Sequence, residues 1–195
     1  MIRLALLRHG PTEWNRMGRI QGRSDIALDD QARLDLGARR LPGAWEKAEL
    51  WSSPLARARD TATCLTGRMP QISDALSEMN WGRFEGQKGA ELIEDPDTGY
   101  RHIEDWGWDY CPPDGESPKM VSERLDPWLD GLTRDAVAVC HIGVMRVLLA
   151  RAHGWDFTGP APFRIKRNRL YILTLDESLS ADPEPLRLIA REAGA

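Results

Sequence analysis

Cysteine is scarce, with 3 in 195 residues. Cys64, Cys111 and Cys140 form no C-x-x-C pair and cannot all pair with one another, which argues against a disulfide framework and for a reducing compartment. Long apolar runs are missing as well. The stretch inside MIRLALLRHG is too short for the core of a signal peptide, and no later run approaches the ~20 residues of a membrane span. Neither sign of charge dominates: 26 Lys and Arg stand against 30 Asp and Glu, a net −4. A general nucleic-acid binder or an anionic-membrane binder is therefore not expected. No internal repeat, low-complexity tract or Ser/Gly linker divides the chain. What is present is an ordinary globular composition, 42% hydrophobic and 29% charged, with enough apolar material for a core. The expectation is one cytoplasmic domain over residues 1–195.

Residues 2–8 (IRLALLR) read as a fully buried strand ending in a His-Gly-Pro turn. Residues 29–41 read as a helix with a stripe of Leu34, Ala38, Leu41 and Trp45. This segment is rich in Arg, Leu and Ala and poor in β-branched residues. Glu49 to Ser52 reads as a strand, followed by a helix capped by Ser53 with Pro54 at its first position. Leu55, Ala58, Ala62 and Leu65 give that helix a buried stripe, and Gly67 stops it. Ala136 to Cys140 is a further buried strand, broken at His141 before an apolar helix from Val144 to His153. Two more strands are expected at Arg169–Leu175 and Pro185–Ala190. Alternating strands and helices predict an α/β three-layer sandwich, a mostly parallel sheet flanked by helices on both faces. Residues 76–120, rich in Trp, Gly, Pro and acids, break the rhythm and read as an insertion capping the strand carboxyl ends.

In such sheets the site lies where strands give way to helices. Three strand ends carry basic groups: Arg8-His9-Gly10, the helix with Arg57 in its first turn, and His141. Arginine forks match phosphate oxygens and helix N-termini favour anions, so their convergence would make a phosphate pocket. Positive charge in a helix first turn is unfavourable by itself, which makes a bound anion the better account of Arg57. The run Arg164 to Arg169 reads as a charged edge strand. Trp81, Trp106 and Trp108 read as a small core of the insertion, while Asp25 and Glu13 read as structural carboxylates.

Six blocks, LLRHGPTEWN, GRIQGRSDIAL, SSPLARARDTA, EMNWGRFEG, PPDGES and CHIGVMR, occur in this order. Together they resemble the histidine phosphatase superfamily in its phosphoglycerate-mutase-like branch. The resemblance implies that His9 accepts the phosphoryl group, that Arg8 and Arg57 hold its oxygens, and that His141 is the second histidine of the pocket. It puts the proton donor to the leaving oxygen on Glu78, which the residues alone do not separate from Glu85. Asn15, Gln21, Gly22 and Ile142 are implied to meet the substrate. Chemically, a histidine attacks only through a free lone pair, and neighbouring arginines disfavour its protonation. No metal and no cofactor are implied, and no H-E-x-x-H or clustered Cys/His spacing is present. One departure stands out: the resemblance leads one to expect His-Gly-Gly after the third strand, whereas Ile142 follows His141. A β-branched residue is unsuited to positive φ, so the local loop is expected to differ.

These features predict a metal-independent phosphomonoester hydrolase acting on a small phosphorylated metabolite, with no nucleic-acid or membrane partner. A homodimer is compatible with the sequence. A phosphoglycerate mutase is the first rival, opposed by chain length. The second is a phosphate-binding module whose catalysis has decayed, opposed by the retained His9, Arg8, Arg57, His141 and Glu78.

Overall fold

The computed structural model describes residues 1–191. In chain order, β1 is Ile2–Arg8, α1 Glu13–Arg16, α2 Asp30–Gly37, β2 Arg39–Arg40, β3 Glu49–Ser52, α3 Ala56–Thr66 and β4 Gln71–Ile72. They are followed by α4 Gly89–Glu94, α5 Pro118–Asp130, β5 Ala136–Cys140, α6 Ile142–His153, β6 Arg169–Leu175, β7 Leu179–Ala181, β8 Leu186–Arg187 and β9 Ile189–Ala190. The main sheet has the order β4-β3-β5-β1-β6-β7, with β8 also pairing β6. The four strands from β4 to β1 run parallel, and β6 turns antiparallel against β1.

Alternation along β1 shows why the molecule has three layers. Leu4 and Leu6 pack with Val121 and Leu125 of α5 and with Val144 and Leu148 of α6. Ala5 and Leu7 face the other way, onto Ala58, Ala62 and Leu65 of α3. Period-two strands present both faces in turn, so a continuous apolar run is what a strand covered on both sides requires. β5 repeats the arrangement, with every residue buried.

Several local expectations need correction. Helix α2 ends at Gly37 and buries Ala32 and Leu36, whereas Leu34 is 69% exposed. Asp29 caps the helix through the Ala32 amide, and the buried row of Ala32 and Leu36 runs two residues out of phase with Leu34 and Ala38, on the opposite face. Helix α3 starts at Ala56 rather than after Ser53. Its Ala56 amide is taken by the Asp25 carboxylate, 2.8 Å away and 31 residues upstream, so the cap comes from a distant loop. The single strand expected over 185–190 is two short ones, β8 on the main sheet and β9 pairing β2. Residues 164–168 form no strand, and β6 is interior, with β1 on one side and β7 on the other. Near the roughly drawn end of the insertion α5 begins, where Ser117 caps the Met120 amide and Pro118 occupies the first turn. No helix among the described residues is long and apolar enough to cross a membrane.

Candidate active site

Strand β1 carries its chain to the carboxyl edge of the sheet, where the His9 amide donates to the Cys140 carbonyl at 3.0 Å, extending the β1–β5 ladder. The His9 ring is buried, 3% exposed. Its Nδ1 lies 2.7 Å from the Gly10 carbonyl. A carbonyl only accepts, so Nδ1 carries the proton and Nε2 keeps its lone pair. Burial, then the charges of Arg57, Arg167 and Arg8, hold the imidazole pKa well below its ordinary 6.5. The ring is therefore neutral, with a lone pair free to attack. Gly10 is in turn anchored by its amide, which donates to the Thr61 hydroxyl of α3 at 2.8 Å.

His141 lies beside it, with ring centroids 5.1 Å apart. It is fully buried, and burial, followed by His9 and Arg57, keeps its pKa well below 6.5. Its Nε2 is 2.8 Å from the Ser53 hydroxyl, and its Nδ1 is 3.3 Å from Arg57 Nε. Arg57 has no exposed surface. Its Nη1 donates to the Ser24 carbonyl and its Nη2 to the Gly22 carbonyl, both at 2.7 Å. Three of the five guanidinium donors are thus fixed by the protein and two remain.

Arg8, the last residue of β1, has a buried Nε with no hydrogen-bond partner among the described residues. An orphaned buried guanidinium donor in a cavity wall is what an anion site provides. That cavity, about 330 Å³, is lined by Arg8, Asn15 and Ile142, together with Arg19, Arg146, Trp81, Tyr100 and Trp106. Asn15 accepts the Arg167 Nη2–H at 2.8 Å through Oδ1. Arg167 also donates through Nη1 to the His9 carbonyl. Burial and Arg8 push the Arg167 pKa down to about 9, still above neutrality, so it adds positive charge to the site.

The two candidate carboxylates separate clearly. Glu85 accepts from the Arg23 amide at 2.7 Å, the Ser24 amide at 2.9 Å and the Ser24 hydroxyl at 2.7 Å, and is spent on folding that loop. Glu78 is 5% exposed, and Oε1 accepts from the Met79 amide at 2.9 Å and the Gly143 amide at 3.0 Å. Its charge is felt by Arg8, Arg57 and Arg146. The Glu78–Gly143 bond explains the glycine two positions after His141: a Cβ on Gly143 would sit 2.4 Å from Glu78 Oε1.

The structure thus gathers His9, Arg8, Arg57, His141, Asn15, Glu78 and Ile142. Of these only Arg8, Asn15 and Ile142 line the cavity; His9, Arg57, His141 and Glu78 are buried and do not, and neither do Gln21 and Gly22. Buried Gln21 lies with its Oε1 3.0 Å from the Thr12 hydroxyl, and Gly22 supplies its carbonyl to Arg57. Gly22 adopts φ +53°, and a Cβ there would meet Glu85 Oε1 at 1.9 Å, so the glycine is a backbone requirement. Ile142 opens α6 and is not among the non-glycine residues with positive φ, which removes the conflict its β-branching suggested. Trp106 both stacks on Tyr110, at 5.3 Å, and walls the cavity, so it is core and pocket at once. Sequence reasoning missed Ser53, Thr61, Arg146 and Arg167. The first two lay inside the SSPLARARDTA block, and Arg146 ended CHIGVMR. Arg167 had no local signal, because it reaches His9 from a loop 158 residues away.

Comparison with known proteins bears on the family. Residues 4–180 match the model of the histidine phosphatase superfamily, branch 1. The chain is 31% identical over 166 residues to a glucosyl-3-phosphoglycerate phosphatase of Mycobacterium tuberculosis, covering 76% of this chain and 74% of that one. It is similar in structure to a phosphoglycerate mutase from Thermus thermophilus, with a TM-score of 0.72, 31% identity, and coverage of 98% and 100%. The structure of a mycobacterial glucosyl-3-phosphoglycerate phosphatase in complex with VO3 superposes with a TM-score of 0.75 at 26% identity, again covering 98% and 100%. The chain belongs to the histidine phosphatase superfamily, branch 1.

Proposed function

We propose that this chain is a phosphomonoester hydrolase that works through a phosphohistidine on His9, with a small phosphorylated metabolite as its substrate. The observation that carries the reading is the bond from His9 Nδ1–H to the Gly10 carbonyl, which leaves the Nε2 lone pair free in a neutral ring. Phosphatase-named relatives support hydrolysis as the outcome.

In this scheme Nε2 forms a bond to phosphorus as the ester P–O bond breaks. Arg8, Arg57 and Arg167 offset the charge that spreads over the three equatorial oxygens, without a metal ion. The Glu78 carboxyl group relays a proton, brought in by the phosphate monoester, to the departing alkoxide. The carboxylate then takes a proton from water, whose oxygen attacks phosphorus and breaks the P–N bond, and that proton leaves with phosphate, restoring both groups.

The test is chemical trapping. Wild-type chain mixed with phosphorylated substrate and quenched in alkali should carry an alkali-stable, acid-labile phosphoryl group, and His9→Ala should carry none and lose turnover. Undiminished hydrolysis by His9→Ala would refute the scheme. Similarity to proteins named phosphoglycerate mutase favours a second reading, in which the phosphoryl group returns to another hydroxyl. Incubation with 3-phosphoglycerate and 2,3-bisphosphoglycerate separates the two: isomer formation marks a mutase, free inorganic phosphate a phosphatase.

A further inference from the structure

The cavity beside Arg8 has a neighbour. A second cavity of about 200 Å³ is lined by Ala161, Phe163, Arg164 and Ile165 together with three residues that also line the first, Ile103, Ile142 and Arg146. Ile142 and Arg146 are four residues apart on α6, hence on one face of the helix. The first cavity is walled by arginines and aromatic rings, whereas the second is mainly aliphatic. Two spaces of different character therefore meet at a single shared wall.

We propose that Ile142 is a specificity-determining residue: with Ile103 and Arg146 it partitions the phosphoryl cavity from the apolar one and confines the site to phosphoesters with compact leaving groups. The assignment of the first cavity to the phosphoryl-bearing ligand rests on the reading above and on Arg8 and Asn15, the two site residues beside Ile142 in its wall. A β-branched side chain on a helix has one strongly preferred rotamer, so Ile142 cannot swing aside for a larger ligand. The glycine that the His-Gly-Gly pattern would put here builds no such wall. The Arg146 guanidinium forms no hydrogen bond or ion pair among the described residues and lies 6.0 Å from the Trp106 ring. It therefore marks the polar end of the partition, and Ile103 with Ile142 the apolar end. Shortening Ile142 would join the spaces and give a bulky apolar leaving group somewhere to go.

Phosphonates test the partition without turnover. Calorimetric Kd values for benzylphosphonate and 1-naphthylmethylphosphonate are measured on the full chain, on Ile142→Ala and on Ile142→Val. Wild type should favour the benzyl compound about tenfold or more. Ile142→Ala should shift the ratio by roughly tenfold toward the naphthyl compound, the scale of one or two methylene-sized groups in a pocket, with Ile142→Val between. Alanine is a strong helix former, and thermal melts check that the variants are folded. Equal wild-type affinities, a ratio unchanged in Ile142→Ala, or no binding of either compound would overturn the proposal. Hydrolysis of phenyl and 1-naphthyl phosphate is followed in parallel. No turnover of either, with the predicted binding ratios intact, would defeat the phosphatase reading and leave the partition standing.

Discussion

Arg57 donates its Nε–H to Nδ1 of His141 at 3.3 Å. A guanidinium has no acceptor, so Nδ1 must hold the lone pair and the ring proton must sit on Nε2, facing the Ser53 hydroxyl at 2.8 Å. One buried arginine thereby sets the tautomer of one histidine while its charge, with burial, keeps the other neutral.

Replacement of Arg57 should expose both roles. Arg57→Ala leaves the buried Gly22 carbonyl without its donor and the half-buried Ser24 carbonyl with only the Ile26 amide, and an unsatisfied buried group costs about 1–3 kcal/mol. We expect a lower urea midpoint with an unchanged m-value. Arg57→Lys should recover part of that stability but little turnover, because one ammonium cannot serve two carbonyls and an imidazole in a fork. Full activity in Arg57→Lys would contradict the orienting role.

Stability should fall on mild acidification. In the unfolded chain His9 and His141 protonate near pH 6.5, whereas both folded pKa values are held well below that by burial and neighbouring charge. The unfolded state therefore binds more protons as the pH drops below about 6.5. Their contribution is complete above that value and is lost toward the folded pKa values, at about 1.4 kcal/mol per pH unit for each ring. Urea midpoints recorded from pH 7.5 to 5 should show this slope, and His141→Asn should flatten it. An equally steep profile in His141→Asn would be the contrary result.

Gly143→Ala should damage catalysis more than folding. The added methyl would sit 2.4 Å from Glu78 Oε1 and 3.1 Å from Met79 Cβ, so the carboxylate must move. Alanine suits the helix better than glycine, by close to 1 kcal/mol, which offsets part of the clash. We expect a fall in kcat of at least about tenfold with a melting temperature within a few degrees of wild type. Wild-type kcat would show that the Glu78 position is unimportant.

The proton-donor role of Glu78 predicts a dependence on the leaving group. Glu78→Gln should slow hydrolysis of an alkyl phosphate by about 10²–10⁴-fold, the usual range for general acid catalysis. It should slow release of 4-nitrophenolate, which departs without a proton, much less at the phosphorylation step. Equal losses for the two esters in single-turnover measurements would assign Glu78 a purely structural part.

The sheet and the two paired histidines were legible because their signals are local. Apolar runs such as Leu4 to Leu7 and Ala136 to Cys140 can be satisfied only by strands covered on both faces, and each leads into a histidine. The start of α3 was not legible, since its cap is Asp25 from a separate loop and Ser53 instead meets His141. The role of Arg167 was hidden for a similar reason: a short basic run reads the same on a surface as over a buried site. Glu78 and Glu85 could be told apart only by their partners, as Glu85 is consumed by Arg23, Ser24 and Trp81 while Glu78 meets the first turn of α6.

His9 and His141 each follow the final residue of adjacent parallel strands, in a register that pairs Arg8 with Cys140. Their ring separation of 5.1 Å is close to the ~4.8 Å that peptide hydrogen bonds impose between neighbouring strands. The distance between the two imidazoles is thus inherited from the middle of the sheet, where no loop can stretch it. Lengthening, shortening or exchanging the segments above leaves that ruler untouched, so such a scaffold can change its clientele over evolutionary time while the histidine pair keeps its spacing.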